Sequence, residues 1–98
     1  MKQDLEAGGK VQTIHATSIA IGGYGVLLTG PSGAGKSDLA LRLIDRGASL
    51  ISDDYTLLIP DGEGLIADAP VTIAGKLEIR GIGIVAQPPC GKTPVRLI

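Results

Sequence analysis

The stretch GPSGAGKSDLALRLIDRG, residues 30–47, decides how the rest of the chain is read. Gly30, Gly35, Lys36 and Ser37 satisfy the pattern G-x-x-x-x-G-K-[ST] without a mismatch. The surroundings support the motif. The apolar run GVLLTG enters it as a short strand, and beyond it Leu39, Ala40, Leu43 and Ile44 recur at helical spacing, opposite Asp38, Arg42, Asp45 and Arg46. Gly47 stands where a helix-ending glycine belongs. The reading predicts a strand, a phosphate-binding loop and a helix, with Gly30, Pro31, Ser32, Gly33, Ala34, Gly35, Lys36 and Ser37 as the loop. Glycines let the backbone approach phosphate closely, and the helix N-terminus adds partial positive charge. Lys36 then sets a point charge against the outer phosphates, and the Ser37 hydroxyl is a hard oxygen ligand for Mg²⁺.

Composition limits what else the chain can be. Its 98 residues, 44% hydrophobic, fit one domain with a modest core. A net charge of -1 gives no broad basic face, and two tyrosines give no stacking platform, so no nucleic acid is expected as a partner. A phosphate loop reconciles an acidic chain with a polyanionic ligand, because backbone amides do the binding. Cys90 is the sole cysteine, which rules out an intrachain disulfide and suits a cytoplasmic protein. The polar opening segment 1–10 lacks the apolar run of a signal peptide, and no later run is long enough to span a membrane.

Along the chain, VQTIHATSIAIGG reads as one or two strands closed by GGYG. ASLIS is a short buried strand ending at Asp53 and Asp54, YTLLI continues or restarts it, and PDGEG turns. GLIAD, VTI and LEIRGIGIV are read as further strands. The final VRLI is strand-like and would be a sticky edge unless paired, which suggests a longer natural polypeptide.

Binding phosphate does not specify a reaction, so the acids matter. Strand alternation predicts that one of Asp53 and Asp54 faces the loop, to accept a proton or hold metal, while the other supports it. His15 lies at a strand edge upstream. Glu78 and Arg80 share a strand face, either as a structural ion pair or as a metal-binding carboxylate beside a phosphate-binding guanidinium.

HATSIAIGGYGVLLTGPSGAGKSDLALRLIDRGASLISDD followed by APVTIAGKLEIRGIGIV resembles the catalytic domain of bacterial HPr kinase/phosphorylase, in its short form. The likeness runs from about His15 to Val85, and the order His, loop, Asp-Asp, EIRG-x-G is more specific than the loop alone. The resemblance implies an α/β fold similar to phosphoenolpyruvate carboxykinase: a mixed, partly barrel-like sheet with few helices over residues 11–98. It implies Mg²⁺-dependent phosphoryl transfer from ATP or pyrophosphate to a serine of an HPr-like phosphocarrier, reversed by phosphate, in a homo-oligomer that is hexameric in the family. By position, His15 matches the active-site histidine, Asp54 the proton acceptor and donor, and Ser37 and Glu78 the magnesium ligands. Arg80, Gly81 and Gly83 match the stretch used in both directions. Asp53 remains as a supporting metal ligand. The family's further catalytic arginine and its phosphorolysis segment have no counterpart up to Ile98. That keeps two rivals in view, a silent nucleotide or phosphate sensor and a small-metabolite kinase of the same fold.

Overall fold

The computed structural model of the chain describes residues 10–31, 35–62, 64–79, 81–88 and 90–97. Ser32, Gly33, Ala34, Arg80 and most of the polar opening segment lie outside the described residues.

The opening run forms two strands, β1 (Gln12–His15) and β2 (Thr17–Ile21), and the apolar run before the loop is β3 (Tyr24–Leu28). The helix α1 spans Lys36–Asp45. After it come β4 (Ser49–Ser52), β5 (Tyr55–Asp61) and β6 (Gly64–Asp68). β7 (Lys76–Ile79) and β8 (Gly83–Ala86) make an antiparallel hairpin, and β9 is Thr93–Leu97. The large sheet has seven strands in the order β1-β5-β6-β9-β3-β2-β4. Its pairs are antiparallel except β3 with β9, so the sheet is mixed. It is open rather than a closed barrel, with β1 and β4 at its margins. It nevertheless curls. Ala16, Leu27, Ile51, Leu58 and Ala67, from distant parts of the strand order, pack into one cluster on its inner side.

The opposite side of β2, β3 and β4 carries a second cluster, in which Ile19 and Leu50 meet Ala40 of α1 and Leu77 and Ile79 of β7. Alternation explains the division: Ile19 and Val26 face the helix while Ala20 and Leu27 face the inner cluster. Burying Leu77 and Ile79 stabilises the hairpin's attachment by about 1.5–3 kcal/mol each. Glu78, between them, is directed the other way and stays exposed.

Two expectations need correction. VTI is not a strand but a 3₁₀ turn, Val71–Ile73, entered from Pro70. Leu39 is 46% exposed, whereas Leu41 joins Ala40, Leu43 and Ile44 in the core. VRLI is strand-like as read and is paired: Val95 and Leu97 lie opposite β3, and Thr93 and Pro94, just before them, opposite β6. The end of α1 follows the sequence. Gly47, at φ 108, and Ala48 donate their amides to the Ile44 and Leu43 carbonyls, a Schellman closure.

Candidate active site

The helix begins at an unusual cap. Gly35 precedes Lys36 at φ 87, has no side chain to bond the free amides, and its carbonyl accepts the first helical bond, from Leu39 N–H at 2.9 Å. Among the described residues, no atom beyond its chain neighbours lies within 4 Å of where a Cβ would sit, so its left-handed backbone calls for glycine here. The amides of the first turn lack intrahelical acceptors and open onto a cavity. Gly35→Ala should therefore cost about 1–2 kcal/mol, read by urea denaturation, because only the left-handed backbone is penalised.

That cavity measures about 550 Å³ and is lined by Gly35, Lys36, Ser37 and Asp38 on the helix side and by Asp53, Asp54 and Glu78 opposite. Gly81 and Gly83 of the hairpin turn complete the rim. The Lys36 ammonium donates to the Gly30 carbonyl at 2.7 Å, tying the helix start back to the strand that feeds it.

Asp53 is buried, at 7% exposure, and both of its carboxylate oxygens accept hydrogen bonds. Its Oδ1 accepts from Ser37 Oγ at 2.7 Å and Thr17 Oγ1 at 3.0 Å, while Oδ2 accepts from the Glu78 amide at 2.9 Å. A buried carboxylate needs such donors. One side chain thus fixes the Ser37 hydroxyl and ties the β7–β8 hairpin to the end of β4.

Asp54 lies in the open part of the site, with its side chain 54% exposed. Its Oδ1 is 2.7 Å from His15 Nε2. An ionised carboxylate can only accept, which assigns the proton to Nε2. The Lys36 ammonium, 3.4 Å from the same nitrogen, is then a near neighbour rather than its donor. His15 stacks on Tyr55, with ring centroids 5.2 Å apart, and the two are direct cross-strand partners. Alternation predicted one acid at the site. Both line it, because Asp54 has φ 69 and a three-residue turn, closed by Tyr55 N–H to the Asp53 carbonyl at 2.7 Å, breaks the strand's two-residue period.

The sequence profile of the HPr Serine kinase C-terminal domain matches residues 8–89. The chain belongs to that family. Among HPr kinase/phosphorylases it is 47% identical over 75 residues to that of Lactiplantibacillus plantarum and 45% identical over 73 residues to that of a Geobacillus species. These alignments cover 76% and 74% of this chain but 24% of each relative, so the chain spans about a quarter of the length of those HPr kinases. The solved Hpr(Ser) kinase/phosphatase from Coxiella burnetii superposes with a TM-score of 0.83 at 39% identity, over 88% of this chain and 62% of that one. Membership of the HPr kinase family thus agrees with the expected order of motifs.

The structure brings His15, Lys36, Ser37, Asp53, Asp54 and Glu78 of the expected HPr kinase site together; Arg80 falls outside the described residues. Sequence reasoning missed Thr17 and Tyr55. Thr17 looked like one β-branched strand residue among several, and only the register that sets His15 opposite Tyr55 reveals the ring contact. A smaller cavity of about 220 Å³ shares Asp53, Asp54 and Glu78 with the first and is otherwise lined by Tyr55, Ile73, Lys76 and Ile84. Among the described residues, no helix is long and apolar enough to cross a membrane.

The residues present suit a magnesium ion. Four carboxylates and one lysine line the larger cavity among the described residues, a poor place for a polyphosphate unless a divalent cation offsets the acids. Ser37, Asp53 and Glu78 offer the hard oxygens Mg²⁺ prefers. Among the described residues, no group of three or more His, Cys, Asp or Glu is arranged to hold a metal by itself.

Proposed function

We propose that residues 11–98 are the catalytic segment of a cytoplasmic protein-serine kinase and phosphorylase, acting on an HPr-like phosphocarrier with ATP or pyrophosphate and Mg²⁺. The observation that carries the reading is that Lys36 and Ser37, at the start of α1, share one cavity with Asp54, which His15 grips. The phosphoenolpyruvate carboxykinase-like fold and the hexameric assembly belong to the same proposal. The mixed sheet and single α-helix of the described residues support that fold.

The first-turn amides and Lys36 receive the outer phosphates of the donor. Ser37 and Glu78, with Asp53 in support, would hold Mg²⁺, which when bound would supply positive charge against the phosphates. The acceptor serine enters from the Tyr55 and Ile84 side, where the smaller cavity meets Asp54. As the serine oxygen bonds phosphorus and the bond to the leaving group breaks, releasing ADP from ATP or phosphate from pyrophosphate, Asp54 takes the serine proton, with the His15 N–H holding its carboxylate in place. In the reverse direction inorganic phosphate attacks the phosphoserine, pyrophosphate forms, and Asp54 returns the proton to the serine oxygen. Arg80 is assigned to the transferring phosphoryl group in both directions. Catalysis of this kind is mainly positioning and electrostatics.

The test is to incubate the chain with an HPr-like protein, Mg²⁺ and γ-labelled ATP, then add phosphate. Label on serine that is released as pyrophosphate is expected. Saturable ATP binding with no transfer would replace this reading by a sensor, and transfer to a small hydroxyl compound alone would replace it by a metabolite kinase.

A further inference from the structure

Asp54 is held at two points by one tripeptide. His15 grips its carboxylate, and two residues later Thr17 Oγ1 accepts its amide N–H at 3.1 Å. Thr17 is fully buried, at 0% exposure, and its own hydroxyl hydrogen goes to Asp53 Oδ1 at 3.0 Å. Both directions are fixed by chemistry, since the carboxylate has nothing to donate and the amide N–H nothing to accept with. A hydroxyl that donates to an anion becomes a better acceptor. Ser37, Asp53, Thr17 and Asp54 therefore form one chain of contacts from the phosphate loop to the acid in the open part of the site.

Among the described residues Asp54 is the only non-glycine with positive φ. Such a conformation persists where its surroundings over-determine it. Here the amide at the centre of the turn is bonded to a side chain anchored on a buried carboxylate. Take the hydroxyl away and the amide loses that partner where solvent does not reach Thr17. The turn then relaxes, and the Asp54 carboxylate leaves its place against His15.

We infer that Thr17 is a positioning residue for phosphoryl transfer, setting the Asp54 carboxylate through the backbone turn. This rests on the reading of Asp54 as the proton acceptor. Thr17→Val keeps the shape of the side chain and removes the hydroxyl. In the whole chain with Mg²⁺, ATP and an HPr-like protein, it should lower kcat about tenfold to a hundredfold with KM for ATP unchanged. His15 is the sole histidine, so its ring NMR signals are unambiguous, and at fixed pH they should move toward those of Asp54→Ala. Thr17→Ser should restore both. A Thr17→Val protein with native kcat and unmoved His15 signals would overturn the inference, and so would a Thr17→Ser protein that behaves like Thr17→Val, which would leave only methyl packing. Should Thr17→Val not fold, hydrogen exchange in the unmodified chain decides: the Asp54 amide should be protected, and exchange as fast as at the exposed Gly62 turn refutes the bond. If the unmodified chain transfers no phosphoryl group, the functional reading alone fails, and the His15 signals and Asp54 exchange still judge Thr17.

Discussion

Replacing Asp54 by asparagine should lower the rate of serine phosphorylation about 10²–10⁴-fold, the usual contribution of a positioned general base, while nucleotide still binds. In free energy that is roughly 3–5 kcal/mol of barrier. The substitution is clean for structural reasons. The Asp54 side chain is largely exposed, its amide bond to Thr17 does not involve the carboxylate, and asparagine is among the residues that best tolerate positive φ. His15 Nε2 can still donate to the amide oxygen. Folding should stay close to native by thermal melting, so a lost rate reports lost proton acceptance. Single-turnover transfer at saturating ATP measures it, and a variant that retains most of the native rate would remove Asp54 from the chemistry.

Lys36→Ala should be comparably severe, about 10²–10³-fold in transfer, but with a different signature. Its ammonium is the one lysine lining the larger cavity among the described residues, set among four carboxylates. Removing it should weaken binding of pyrophosphate with Mg²⁺ as well as slow the reaction, which Asp54→Asn should not do. Lys36→Arg should not repair the loss, because a broad planar fork cannot take the place of a compact ammonium that also reaches the Gly30 carbonyl. Calorimetry with pyrophosphate separates the two variants. Unweakened binding by Lys36→Ala would show that the amides at the start of α1 hold the anion unaided.

How far the sequence foretold this site depended on the range of the forces involved. Loop and helix were legible because their signals are local: the glycine and lysine spacing, the apolar repeat, Gly47 at the helix end. Even there, Leu39 and Leu41 lie about 100° to either side of Ala40, so periodicity could not tell which one packs; the cluster against which α1 lies takes Leu41. VTI has the β-branched composition of a strand but only a few residues between Pro70 and Gly75, and it turned instead. Asp53 and Asp54 were found, but their joint presence in the cavity was not, because the turn at Asp54 depends on a hydroxyl 37 positions away in the chain. Thr17 and Tyr55 were invisible for the same reason. Their roles exist only once β1 has paired with β5 and β2 with β4.

The place of β9 bears on how the protein is made. Residues 93–97 lie between β6 and β3, and among the described residues they are the only strand joining β1-β5-β6 to β3-β2-β4 through backbone pairing. On the ribosome, both half-sheets emerge before the piece that unites them. Until it arrives, the facing rims of β6 and β3 carry bare peptide groups that a neighbouring nascent chain could capture, so translation speed over this short run and prompt chaperone cover bear directly on yield.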